Sequence, residues 1–177
     1  MILILEGPDG SGKSYLIDYL TAKRSFSLIP TQGPPKSRGD LLHRMDRVIS
    51  RAQQGEKILS DRFALFSEQV YGPIIRDNCL LTEYDIQTYT RRLLFNNTVI
   101  LYCRPSNETL AKVELKKKPH KDEDHVHRVK SQFKLITQRY DQIIWSTEIY
   151  LPVIKYDRDQ MTKEDLFNVW ISPLCGK

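Results

Sequence analysis

Gly7-Pro8-Asp9-Gly10-Ser11-Gly12-Lys13-Ser14 is the stretch whose residue types and spacing could do chemistry. It matches G-x-x-x-x-G-K-[ST], the phosphate-binding loop. Glycine at 7, 10 and 12 permits backbone angles that a Cβ forbids, so amide N–H groups can turn toward one point. Those amides, with the positive end of a following helix, would cradle an anion. Lys13 would reach the outer phosphates of a nucleoside triphosphate such as ATP, and the Ser14 hydroxyl would hold Mg²⁺. Gly7, Asp9, Gly10, Ser11, Gly12, Lys13, Ser14 and Tyr15 are the candidate donor-binding residues.

Such a loop needs a strand before it and a helix after it. Residues 1–6, Met-Ile-Leu-Ile-Leu-Glu, read as a buried strand, and Tyr15, Leu16, Tyr19 and Leu20 fall at helical spacing. A second reactive pair, Asp61-Arg62, ends a short apolar run at 57–60. The carboxylate could orient Mg²⁺ through water, and the guanidinium could clamp a phosphate with two parallel bonds. Lys13, Asp9, Asp61 and Arg62 are therefore the candidate catalytic set. Residues 25–29 read as another strand, and the loop after it carries Lys36 and Arg38. Loops leaving the carboxyl ends of parallel strands line the ligand crevice, which makes both candidate phosphate contacts.

Strands alternate with helical patterns along the chain, the signature of an α/β domain with a mostly parallel sheet. Asp40 reads as the N-cap of a helix whose stripe is Leu41, Leu42, Met45, Val48, Ile49 and Ala52, closing at 53–55. Residues 63–71 read as a helix ending near Gly72-Pro73, and Thr82 opens another. Residues 98–103 are the clearest strand, and Ser106 or Asn107 caps the next helix. The charged run 116–125, with Pro119 inside it, breaks the periodicity and reads as a lid over about 116–128. From Val126 one core stripe runs through Val129, Phe133, Ile136, Tyr140 and Ile143, and Tyr140 and Trp145 need no special role. Residues 151–156 are the last strand, and Thr162 caps the final helix.

The 177 residues fit one domain, 1–177, of soluble globular composition, with 40% hydrophobic and 28% charged residues. No apolar run is long enough for a bilayer and no basic leader precedes the first strand, so a cytoplasmic protein without a membrane partner is expected. Cys79, Cys103 and Cys175 show neither metal nor redox spacing, and His120, His125 and His127 have no evident ligand partner. A net charge of +5 suits a phosphate-bearing partner without choosing between a nucleotide and a polymer.

Taken together, Glu6 to Ser14, Asp61-Arg62-Phe63, Ser67 to Tyr71 and the late lid-then-helix order resemble the thymidylate kinase family of P-loop nucleotide kinases, most of all its small phage-type members. The likeness covers nearly the whole chain. It implies a P-loop kinase fold, a five-stranded parallel sheet flanked by helices, using ATP and Mg²⁺. It implies that Asp9 approaches the acceptor's sugar or phosphate, and that Arg62 binds the acceptor phosphate with help from Lys36 or Arg38. Ser67 and Tyr71 would line the base and sugar pocket, with Arg76 beside them. Two features depart from the family. Gly10 stands where an arginine is frequent, and the lid offers Lys116, Lys117, Lys118 and Lys121, with Arg128 only at its edge. One extra residue also separates Asp61 from Ser67. The activity implied is phosphorylation of a pyrimidine deoxynucleotide, dTMP or a relative. The alternative is phosphorylation of a hydroxyl, either of 5-hydroxymethyluracil within phage DNA or of a deoxynucleoside, with Glu6, Asp9 or Asp61 as the base. DNA would then be a partner, tracked by Lys36, Arg38, Arg91, Arg92 and the lysine run 116–118. A non-catalytic nucleotide-binding module is the third reading. Family members often dimerise, so a homodimer is also among the expectations.

Overall fold

The computed structural model describes residues 1–112 and 123–174. Five strands make one parallel sheet in the order β2-β3-β1-β4-β5, with β1 at Ile2–Glu6, β2 at Ser27–Ile29, β3 at Ile58–Asp61, β4 at Thr98–Cys103 and β5 at Val153–Tyr156. All five residues of β1 are buried, as its unbroken apolar run requires of a strand covered on both faces. Its alternate residues feed two cores. Ile2 and Ile4 face a layer of helices α2 (Arg38–Gln53), α3 (Ala64–Ile75), α4 (Glu83–Leu94) and α7 (Phe133–Thr147). Leu3 and Leu5 face α1 (Lys13–Lys23) and the carboxyl-terminal helical turns. Between these lie α5 (Asn107–Ala111) and α6 (Glu123–Ser131), and the chain closes with α8 (Lys163–Asp165), a π-helical turn at Leu166–Ile171 and α9 (Ser172–Leu174). Among the described residues no helix is long and apolar enough to cross a membrane.

Helix starts follow from side chains that accept orphan amides. Thr82, Ser106 and Thr162 accept the N–H groups of Asp85, Thr109 and Asp165. The start of α2 differs from the expectation. Ser37, not Asp40, is its cap, accepting the Asp40 N–H at 3.2 Å, so Arg38 lies in the first helical turn and not in a loop. Asp40 instead accepts the Lys36 N–H at 2.9 Å and pairs with Arg44 one turn on. β2 and β3 begin two and one residues later than expected.

The helix from Ala64 does not stop at Gly72-Pro73 but continues to Ile75. Proline lacks the N–H that would bond the carbonyl four residues back. Here that carbonyl, of Gln69, receives the Arg139 guanidinium at 3.4 Å. The long helix expected from Val126 is two helices, broken at Gln132. The expected lid lies mostly outside the described residues, and its last part, from Glu123, belongs to α6.

Candidate functional site

The carboxyl ends of β1, β3 and β4 meet at one edge of the sheet, and the site is built there. The turn after β1 holds Gly7 at φ 138° and Gly12 at φ 96°. At Gly7 the turn is pressed against its neighbour strand, because a Cβ would stand 2.3 Å from the Cys103 carbonyl oxygen. The Lys13 ammonium folds back into the turn. It donates to the carbonyls of Gly7 and Pro8 at 2.9 and 2.7 Å and to Ser11 Oγ at 3.1 Å. Burial, then the Arg62 charge, pulls its pKa from 10.5 to about 8. Ser11 is buried, whereas Ser14 and Tyr15 are exposed. Gly12 and Tyr15 form one wall of a cavity of about 450 Å³ whose other wall is Tyr156, Arg158, Met161 and Thr162. The Lys163 ammonium lies 4.2 Å from the Tyr15 ring centre, and the Arg158 side chain lies over Gly12.

On the other side of the turn, Asp9 and Arg62 form an ion pair at 3.0 Å. The Tyr71 hydroxyl donates to the second Asp9 oxygen at 3.3 Å. Arg62 has φ 66°, a left-handed conformation rare for a residue with a side chain. Two bonds hold it there: its N–H donates to the Leu5 carbonyl at 3.0 Å, and its own carbonyl accepts from Ser60 Oγ at 2.6 Å. The guanidinium lies 5.1 Å from the Tyr71 ring centre and 5.7 Å from that of Tyr140, and its Nη1 donates to the Tyr140 hydroxyl. Tyr71 stands one turn after Ser67, so both lie on the same face of α3.

Glu6 lies beneath this pair and is fully buried. One carboxyl oxygen accepts the Phe63 N–H at 2.6 Å, and the other has no hydrogen-bond partner among the described residues. Burial raises its pKa from 4.5 to about 7, although the Arg62 charge opposes the shift. Asp61 ends β3 opposite Leu5 of β1, half-buried, and its charge bears on both Glu6 and Lys13.

Arg38 and Arg76, also expected near the acceptor, are engaged elsewhere. Arg38 makes a two-bond fork with Asp85 at 2.8 and 2.7 Å, which holds that carboxyl far below the ordinary range. Arg76 pairs with buried Glu68, whose other oxygen accepts the Leu80 N–H at 2.8 Å. Lys36 is exposed, on the loop after β2. The structure therefore brings Asp9, Lys13, Asp61, Arg62 and Tyr71 to one place, and leaves Arg38 and Arg76 in ion pairs of their own.

No protein-family model and no curated protein sequence matches the chain. Solved structures do match it. The YorR protein of Bacillus subtilis, in complex with phosphorylated GDP, has a TM-score of 0.66 over 98% of this chain and 95% of its own, at 15% identity. Deoxyadenosine kinase from M. mycoides with bound dATP has a TM-score of 0.57 at 13% identity, covering 98% of this chain and 99% of its own. The same enzyme with the products dCMP and a flexible dCDP scores 0.56 at 14% identity, covering 99% and 98%. This is the P-loop kinase fold. Two residues that line the candidate site carry no motif in the sequence. Tyr140 sat in an ordinary core stripe. Arg158 had one available signal, its position in the loop that leaves the carboxyl end of β5.

Proposed function

We propose that the protein transfers the γ-phosphoryl group of ATP to a hydroxyl of a deoxynucleoside. The observation that carries this reading is the Asp9 carboxylate, bonded to both Arg62 and Tyr71. A hydroxyl acceptor needs a base within hydrogen-bond reach, and a carboxylate beside a guanidinium is one. A phosphate acceptor needs surplus positive charge instead, and Arg38, Arg62 and Arg76 are each matched by a carboxylate already. The deoxyadenosine kinase likeness supports the choice of a deoxynucleoside.

In the reaction the acceptor oxygen attacks Pγ, an O–Pγ bond forms and the bond from Pγ to the β-bridging oxygen breaks. The hydroxyl proton passes to Asp9 and ADP leaves. The turn at 7–14 holds the triphosphate, and the Lys13 ammonium exchanges its carbonyl partners for phosphate oxygens. Arg62 stabilises charge on the moving group, since such transfer is mainly positioning and electrostatics. The Ser14 hydroxyl and the Asp61 carboxylate are the hard oxygen donors that suit Mg²⁺, which would neutralise charge across the β- and γ-phosphates. The cavity of about 450 Å³ beside Gly12 and Tyr15 has room for the donor's base.

The second reading is a dTMP-type acceptor, favoured by exposed Lys36 and by the two-nitrogen fork of Arg62. Labelled ATP offered with deoxynucleosides, dTMP and DNA containing 5-hydroxymethyluracil separates them. Label in a deoxynucleoside is expected. Label in dTMP alone establishes the second reading, label in DNA alone moves the acceptor to a polymer, and label nowhere overturns all three. Asp9→Asn sharpens the result, because it should cut transfer to a hydroxyl by about 10²–10⁴-fold and spare transfer to a phosphate.

A further inference from the structure

We infer that Tyr140 is a positioning residue for phosphoryl transfer, fixing the plane and direction of the Arg62 guanidinium. The inference rests on the proposed kinase activity in taking Arg62 to face the transferring group and Asp9 to receive the acceptor's proton. The long Arg62 side chain lies against the Tyr71 ring, 5.1 Å from its centre, and its terminal nitrogens reach two further side chains. One is Asp9, whose side chain is 24% exposed and which is committed to the acceptor's proton during transfer. The other is Tyr140, at 0% exposure, whose hydroxyl takes the Nη1 bond. When the acceptor engages Asp9, the Nη2 bond weakens and Tyr140 remains.

Tyr140 is itself held rigidly. Its ring meets Tyr71 edge-on at 6.0 Å and lies tilted against Tyr102 at 6.4 Å. The next residue on α7, Asp141, is tied to β4 and the turn after it. It accepts the Tyr102 hydroxyl at 2.6 Å and the Arg104 guanidinium at 2.9 and 3.1 Å. The middle of α7 is thus pinned to the sheet beside the site, and Tyr140 projects from the pinned turn. A guanidinium aimed by a fixed post starts the reaction already oriented, and small misplacements of such a group are costly in rate. Tyr71 and Tyr140 also differ in what they hold. Tyr71 donates to Asp9, whereas Tyr140 accepts from Arg62, so loss of either hydroxyl removes a different bond.

The test uses Tyr140→Phe, with Tyr89→Phe as a control that removes another buried hydroxyl, bonded to Asp46 at 2.8 Å in α2. Tyr140→Phe should lower kcat about 10–100-fold and leave KM for ATP within about twofold, while Tyr89→Phe leaves both unchanged. In an Arg62→Ala background Tyr140→Phe should cost little more, because its effect passes through Arg62. An equal loss in both backgrounds means a structural role only and overturns the inference. A measurement free of activity stands beside it. In ¹⁵N spectra of the wild-type arginine side chains, the Arg62 Nη1 and Nη2 signals should be resolved, showing hindered rotation, and Tyr140→Phe should speed the exchange between them even with the Asp9 bond in place. Merged signals in the wild type overturn the inference without any variant. A wild type that labels no acceptor refutes the kinase reading alone, since the spectra still decide the role of Tyr140.

Discussion

Replacing Glu6 by glutamine turns the buried carboxyl into a stability measurement. Glu6 is fully buried beneath Arg62, and burial moves its pKa from 4.5 to about 7. Between those values the folded chain holds a proton that the unfolded chain has lost, so stability declines as pH rises through that window. Below pH 4.5 nothing is lost, and above about 7 the loss is complete. At about 1.4 kcal/mol per pH unit, the displacement is worth about 3 kcal/mol. Glutamine cannot ionise, so Glu6→Gln escapes the penalty. Burying an amide has its own cost, but that cost does not change with pH and cancels in the comparison. Urea unfolding of both proteins at pH 4.5 and pH 8 should therefore show the variant gaining about 2–3 kcal/mol on the wild type at the higher pH, with m unchanged. The same free-energy difference at both pH values would refute the reasoning. It would mean that Arg62 outweighs burial and keeps the carboxyl ionised throughout.

Other consequences are open to measurement. Lys13 titrates near 8 in the free protein and must be charged to grip a triphosphate, so kcat/KM for ATP should fall up to tenfold per unit above pH 8. A flat profile to pH 9.5 contradicts this. Gly7→Ala drives a methyl to 2.3 Å from the Cys103 carbonyl, at a φ of 138°, and should cost about 2–3 kcal/mol of stability with loss of ATP affinity in calorimetry. Arg76→Ala leaves the buried Glu68 carboxylate with only the Leu80 N–H among the bonds described. Chemical denaturation should show a loss of about 1–3 kcal/mol, and turnover per folded molecule should change less than twofold. A raised KM for the acceptor would return Arg76 to the pocket.

Sequence patterns carried the skeleton because local rules act there. The apolar run 1–5, the glycines of the turn and the capping residues Thr82, Ser106 and Thr162 each act within a few residues. The arginines were harder. Arg38 and Arg76 look like free phosphate contacts until the fold delivers Asp85, 47 residues away, and Glu68 across the end of α3. Tyr140 looks apolar because spacing reports the ring and not the hydroxyl, whose partner Arg62 is 78 residues back. Gly72-Pro73 reads as a stop because no local signal announces that Arg139 will satisfy the freed carbonyl.

The strand order also bears on how the protein is made. β1 leaves the ribosome before either of its neighbours in the sheet, Ile58–Asp61 and Thr98–Cys103, which are translated far later. The turn proposed to grip the nucleotide leans on both flanks, through the Arg62 amide on Leu5 and the Cys103 carbonyl against Gly7. A nascent chain released before residue 103 would carry the whole glycine motif and hold no nucleotide. The glycine turn is made early and acquires its working shape late, and arrested chains of graded length would show triphosphate binding switch on only once β4 has emerged.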